Sequence, residues 1–253
     1  MCSSDLQERD DVSSRNQLLI QALKNIKSIP QNQESKIFFV QGEPGIGKSH
    51  FINNIISKSS EYGFLTIRLP KYNNFTYRIT IVKDILRELI LTKYPNNDCT
   101  LKHLKEFTEL ENLSQQHSQN LYSIFHNKTD TDSPNIQTKN EEHEISLIVQ
   151  LIEKLNSPVS LIFEDIQMAP EYVLNIIKLL SDKLQDLPIA IIISSCLSNS
   201  SIYEIEGKRI SHASIDVFSL SKLKDEELLE IGEKCPDIPK EHLKKIIRRA
   251  EGN

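Results

Sequence analysis

Eight residues near the N-terminus constrain this chain more than any other stretch: Gly42-Glu43-Pro44-Gly45-Ile46-Gly47-Lys48-Ser49. They fit the pattern G-x-x-x-x-G-K-[ST], which is typical of a loop that wraps around phosphate. Glycine lets the backbone approach an anion and take positive φ where a turn needs it, so successive N–H groups can point inward. The pattern predicts that Lys48 reaches the outer phosphates of a nucleotide and that the Ser49 hydroxyl holds Mg²⁺.

The flanking residues supply the context that this motif requires. Upstream, the apolar run 37–40 is typical of a buried strand. Downstream, Phe51, Ile52 and Ile55 lie on one face of a predicted helix, whose positive dipole end would face the phosphate. Strand, glycine loop and helix together favour phosphate binding over the alternative, a glycine-rich turn that binds nothing.

The rest of the chain alternates predicted helices with apolar strands, at residues 64–68, 159–163, 188–193 and 215–220. This alternation predicts an α/β fold, a three-layer P-loop NTPase with a parallel five-stranded sheet. We expect a disordered N-terminus at 1–13 and a nucleotide-binding domain at 14–220. Within it, the polar residues 111–142 predict a disordered insertion. Residues 221–253 are expected to begin a small helical lid, truncated at the end of the chain.

Two acids follow the apolar run 159–163, which is expected to lie next to the phosphate-loop strand. Ligands of parallel sheets bind outside the carboxyl ends of the strands, where Glu164 and Asp165 stand. We expect Glu164 to anchor Mg²⁺ and Asp165 to polarise the attacking water, with Lys48 as the third catalytic group. The alternative is a solvated acidic cap.

Polar residues after the later strands are weaker candidates. Ser194 and Ser195 end the next strand, where Ser195 could contact the γ-phosphate or the water; two serines capping a turn is the alternative. Arg209 precedes the fifth strand and could reach a neighbouring subunit's nucleotide, although a surface arginine is the simpler interpretation.

Composition restricts the partners. The net charge of −5 gives no global reason to expect nucleic acid or an anionic membrane, and no run of 18 apolar residues exists. The four cysteines, Cys2, Cys99, Cys196 and Cys235, show no C-x-x-C spacing, so we expect neither zinc nor a disulfide framework, and Cys196 is interpreted as a core-edge residue. These features favour a cytoplasmic protein without a membrane partner.

Three stretches together resemble the AAA+-related signal-transduction ATPases called STAND, most of all the branch found in adenylyl cyclases and bacterial transcription regulators. They are the phosphate loop, the strand and acids at 161–169, and the chain end at 250–253. Met168 stands where that branch has tryptophan, and the last stretch is similar to a Gly-x-Pro motif cut off before its proline, which indicates a fragment. Leu197 stands where the family often has an arginine, so the resemblance does not extend to that sensor position.

The resemblance implies ATP and Mg²⁺ as cofactors and a switch module that binds and hydrolyses ATP. It implies partner proteins or self-association, and nucleic acid only through domains beyond residue 253. Arg15 matches the family's arginine box near the adenine, and Val12 would line the same pocket. The predicted nucleotide contacts are thus the eight loop residues, His50 directly after them, Arg15 and Ser195.

Two alternatives stay open. One is a scaffold in which nucleotide only stabilises the fold. The other follows from a second resemblance, since 162–165 followed by Pro170 and a long helix is similar to origin-recognition ATPase subunits, which would imply a nuclear replication protein.

Overall fold

Five parallel strands form one sheet with helices on both faces. The computed structural model describes residues 14–69, 78–93, 101–110, 114–126, 137–184, 186–196 and 214–223. The strands are β1 (Ser35–Gln41), β2 (Leu65–Arg68), β3 (Val159–Phe163), β4 (Ile189–Ser195) and β5 (Ser214–Ser219). The helices are α1 (Ser14–Asn32), α2 (Lys48–Ser59), α3 (Arg78–Lys93), α4 (Leu101–Leu110), α5 (Gln115–His126), α6 (Gln137–Leu155) and α7 (Glu171–Lys183), with short 3-10 helices at Ser60–Tyr62 and Ile166–Met168.

The sheet order is β2-β3-β4-β1-β5, and every neighbouring pair is parallel. The predicted fold class is therefore confirmed. The expectation that β3 lies next to the phosphate-loop strand is wrong, because β4 lies between β3 and β1. The pairing puts Phe39, Ile193 and Phe163 level across these three strands, so β1, β4 and β3 end at one common edge.

Strand side chains alternate between two apolar cores, one on each face of the sheet. In β1, Ile37 and Phe39 pack into the core under α3–α7, whereas Phe38 and Val40 pack into the core under α1 and α2. This alternation follows from the two-residue period of a strand. All five residues of β3 are buried, as expected for a central parallel strand. The two cores make the three layers that the sequence predicts.

Within the polar segment 111–142, the described residues 114–126 and 137–142 differ from the prediction of a disordered insertion. The structure has α5 at Gln115–His126 and begins α6 at Gln137. Leu121 is fully buried, and Tyr122 and Phe125 pack partly buried against the same core, so the helix has an apolar side despite its polar composition. The Tyr122 hydroxyl also lies 3.0 Å from Thr108 Oγ1 of α4.

Other boundaries differ by a few residues. Pro30 would be expected to end the first helix, because proline disrupts a helix interior, but the helix continues through it to Asn32, and the chain then turns at Gln33 with a φ of 52°. The predicted N-terminal segment 1–13 and the predicted lid, from residue 224 onward, lie outside the described residues. Within the described part, none of the helices combines the length and the apolarity needed to cross a bilayer.

Candidate nucleotide-binding site

The phosphate loop connects β1 to α2, and two of its three glycines have different structural roles. Gly47 precedes α2 with a φ of 98°, a left-handed conformation that favours glycine, and its carbonyl accepts the first helical bond from Phe51 N–H at 2.9 Å. Gly42 is required for space instead. A Cβ there would lie 2.8 Å from Ile46 Cγ2 and 3.0 Å from the Leu220 carbonyl oxygen. Gly47 thus permits the turn into α2, and Gly42 permits the close packing of the loop against Leu220.

Lys48 lies inside the loop that it is predicted to serve. Its ammonium group donates to the carbonyl oxygens of Gly42 at 2.9 Å and of Glu43 at 3.0 Å. The side chain is buried, so the positive charge is held under the loop rather than in bulk solvent. An ammonium group in this position can donate to phosphate oxygens bound in the loop.

Glu164 is the carboxylate that meets the phosphate-loop helix. Its Oε2 accepts a 2.7 Å hydrogen bond from Ser49 Oγ, although the two residues are 115 positions apart. Its Oε1 lies 3.3 Å from Nε of Arg68, the last residue of β2. Glu164 is only 5% exposed, so these two contacts stabilise a carboxylate that has little access to water.

Asp165 differs from its neighbour in conformation and in exposure. It is partly exposed and has a φ of 54° and a ψ of 44°, left-handed values that are uncommon for a residue other than glycine. Its N–H donates to Ser194 Oγ at 3.0 Å, and its carbonyl accepts from Met168 N–H at 2.8 Å. The sharp turn therefore directs the chain away from the sheet directly after the two acids, and Ser194 of β4 stabilises it.

The end of β4 contributes a residue that sequence reasoning assigned to the core edge. Cys196 lines the cavity described below, and its backbone N–H donates to Gln167 Oε1 at 3.3 Å. Gln167 Nε2 in turn lies 3.4 Å from Cys196 Sγ, and Lys48 Nζ lies 3.9 Å from the same sulfur. Because Cys196 directly follows the last residue of a strand at the binding edge, its position is the signal that could have identified it.

Ser195, in contrast, contributes through its backbone. Its side chain is fully buried and donates to the Cys196 carbonyl at 3.3 Å, while its own carbonyl accepts from Gly42 N–H at 3.3 Å. Because Ser195 is two and four residues after Ile193 and Ile191 in the same strand, its side chain lies on the same face of the sheet as theirs, under α3–α7. The predicted contact of its hydroxyl with nucleotide therefore finds no support in this geometry, whereas Ser194 reaches Asp165.

A cavity of about 570 Å³ lies over these groups. This volume is within the range of small-molecule and cofactor sites. Its lining joins the loop to the ends of β3 and β4 and comprises Pro44, Gly45, Gly47, Lys48, Ser49, His50, Asp165, Gln167, Met168 and Cys196. The structure thus brings most of the predicted contact residues to one cavity, together with three that were not predicted as contacts.

Arg15 of α1 lies close to Gly47 of the loop. Its Nη2 donates to the Ser221 carbonyl oxygen at 2.8 Å, and its Nη1 would be 3.3 Å from a Cβ at Gly47. Arg15 therefore lies beside the loop and donates to the chain that follows β5, and its place near the base stays a prediction. Val12, Leu197 and Arg209 lie outside the described residues.

The oxygen atoms of Ser49 and Glu164 suit a hard divalent cation. Mg²⁺ prefers oxygen ligands, keeps several waters and is usually bound by one or two protein groups together with substrate phosphates. The described residues contain no group of three or more His, Cys, Asp or Glu side chains that could enclose a metal by themselves. A hydroxyl beside a buried carboxylate, next to a phosphate-binding loop, fits Mg²⁺ held jointly with nucleotide.

Comparison with known proteins identifies the family and agrees with the fold. The profile of the AAA ATPase domain matches residues 15–193. No curated protein matches the chain. Among solved structures, the chain is similar to Cdc6p from Pyrobaculum aerophilum, with a TM-score of 0.50 and 17% identity, over 91% of this chain and 51% of that one. The ORC1 protein of Aeropyrum pernix in complex with DNA gives a TM-score of 0.49 and 11% identity, over 92% and 52%. The chain spans about half the length of these two proteins.

Proposed function

Because the chain belongs to the AAA ATPase domain family, we propose that it binds Mg-ATP between the phosphate loop and the carboxyl ends of β3 and β4. One observation carries the proposal: Ser49 Oγ lies 2.7 Å from Glu164 Oε2. This contact joins the predicted metal ligand of the loop to the predicted metal ligand of the sheet. Lys48 lies in the same cavity and supplies the charge that phosphate needs.

Mg²⁺ would be held by Ser49 and, directly or through water, by Glu164. When bound, the ion neutralises negative charge on the phosphate oxygens and so favours phosphoryl transfer. The chain's own groups have separate tasks in this proposal. The loop N–H groups bind the phosphates, Lys48 donates to them, and Asp165 orients the attacking water from its place on the cavity wall.

We further propose that hydrolysis is slow and that the nucleotide state couples to partner proteins or to self-association, as in a STAND switch of the cytoplasm. The position of Arg15 beside Gly47 and its hydrogen bond to the Ser221 carbonyl support such coupling, because they connect the site to the chain that follows β5.

A second candidate is a scaffold that binds nucleotide without turning it over. Two observations favour it. Arg68 forms an ion pair with one carboxylate oxygen of Glu164, and Cys196, at the end of β4, lines the cavity. Nucleotide would then act by stabilising the folded state. Turnover that stays undetectable, alone and with partners, in protein that binds Mg-ATP would select this candidate.

The binding proposal is tested by measuring Mg-ATP affinity for the wild type, Lys48→Ala and the control Lys58→Ala. Lys58 is an exposed lysine of the same helix, paired with Glu61 at 2.9 Å. We expect Lys48→Ala to weaken binding roughly thirtyfold or more, since it removes charge-assisted hydrogen bonds, while Lys58→Ala leaves the affinity unchanged. Equal affinities of the wild type and Lys48→Ala, in folded proteins, would refute the proposed site.

A further inference from the structure

Arg68 connects the edge strand β2 to both parts of the proposed metal site. Its Nε lies 3.3 Å from Glu164 Oε1, while Ser49 Oγ donates to the other carboxylate oxygen. Its Nη2 also donates to Asn53 Oδ1 on α2, one turn after Ser49. Arg68 therefore contacts the helix that carries one predicted metal ligand and the side chain of the other.

We propose that Arg68 is a built-in counter-ion of Glu164 that competes with the divalent cation and so raises the Mg²⁺ concentration needed for tight nucleotide binding. The inference rests on the proposed function, since it assigns a regulatory task to a residue beside that site. Arg68 is a positioning residue here: it acts on the metal through Glu164.

Burial and charge support this assignment. Glu164 is 5% exposed, and a carboxylate so shielded from water requires a compensating partner. Arg68 is 42% exposed, so its guanidinium can leave Glu164 for solvent at small cost. A planar guanidinium can bond to two acceptors at once, which explains how Arg68 contacts Asn53 and Glu164 together.

The direction of the effect follows from electrostatics. A cation at Ser49 and Glu164 must either displace Arg68 or bind beside its positive charge, and both alternatives weaken metal binding. Removing the charge should therefore increase affinity for the metal. If Arg68 instead only oriented the carboxylate for the metal, removing it would decrease that affinity, so the two roles predict opposite signs.

The experiment measures binding of a fluorescent ATP analogue across a Mg²⁺ series for the wild type, Arg68→Gln and the control Arg87→Gln. Arg87 is an exposed arginine of α3, so its variant loses the same formal charge. The Mg²⁺ midpoint is the Mg²⁺ concentration at which nucleotide binding is half-maximal. We expect Arg68→Gln to lower this midpoint roughly three- to tenfold. The factor is modest because Arg68 is partly exposed, and solvent weakens its interaction with Glu164. Arg87→Gln should keep the wild-type midpoint. Titration of Mn²⁺ followed by electron paramagnetic resonance provides a second, activity-independent readout and should show the same shift.

Two further variants keep the inference testable if Arg68→Gln does not fold. Arg68→Lys retains the charge and should give a midpoint between those of the wild type and Arg68→Gln. Asn53→Ala removes the contact with α2 and should lower the midpoint by a smaller factor. An unchanged or higher Mg²⁺ midpoint in Arg68→Gln would overturn the counter-ion role while leaving the proposed function intact. If Arg68→Gln does not fold, the same result in Asn53→Ala would overturn it. A wild type that binds no nucleotide at any Mg²⁺ concentration would instead overturn the proposed function itself.

Discussion

The phosphate loop and the acidic turn after β3 face the same cavity but are organised in different ways. Most of the loop's geometry is local: Gly47 turns the chain, and the Lys48 ammonium bonds to carbonyls five and six residues earlier. The acidic turn depends on distant residues, since Glu164 bonds to Ser49 and Arg68, and Asp165 bonds to Ser194. One region can therefore be recognised from a short motif, whereas the other acquires its chemistry only when the sheet assembles.

The two acids sharpen this contrast, because adjacent carboxylates have different surroundings. Glu164 is buried with a hydroxyl and a guanidinium, while Asp165 is partly exposed on the cavity wall. Different environments let neighbouring carboxylates take different roles. The structure is thus compatible with the predicted division into a metal-anchoring acid and a water-orienting acid.

The largest expected effect separates these two roles. Asp165→Asn should reduce ATP turnover about a hundredfold or more, because the amide cannot act as a base, while Mg-ATP binding persists. Glu164→Gln should instead remove the Mg²⁺ dependence of nucleotide binding. Steady-state turnover and binding with and without Mg²⁺ distinguish the variants. Unchanged turnover in Asp165→Asn would refute its assignment as the base.

A smaller effect tests whether the conformation of the phosphate loop depends on its contact with a distant residue, Leu220. Gly42→Ala should lower the free energy of unfolding by about 2–3 kcal/mol, because its Cβ would press on the Leu220 carbonyl oxygen at 3.0 Å. Gly63→Ala is the matched control: its Cβ meets open space, so only its φ of 78° costs stability, about 1 kcal/mol. Chemical denaturation measures both. Equal losses would show that the contact with Leu220 does not constrain the loop.

The smallest expected effect tests the acidic turn. Ser194→Ala removes the acceptor of the Asp165 N–H, a hydrogen bond worth about 1 kcal/mol, and should reduce turnover a few-fold. Ser195→Ala changes a neighbouring hydroxyl that bonds only weakly to the Cys196 carbonyl, so turnover should stay near that of the wild type. If Ser195→Ala lowers turnover more than Ser194→Ala, the assignment of the two serines has to be reversed.

The sequence predicted much of the fold but not its assembly. β3 was located at its observed bounds, and the other strands within one or two residues, because apolar runs between turn residues are a local signal. The position of β4 between β1 and β3 was missed, since strand order is not written in any single segment. The helix α5 was missed because four apolar residues, all in its second half, give a weak pattern among the polar ones.

The same division applies to the site. The chemistry of Gly42–Ser49 and the presence of two acids after a strand are determined by the sequence alone, because they depend on residue type and on short spacing. Tertiary structure decided that Glu164 rather than Asp165 meets Ser49, that Cys196 rather than Ser195 lines the cavity, and that Arg68 contacts Glu164. The physical reason is that these contacts join the ends of different strands, and strand order, register and side-chain parity determine which ends meet.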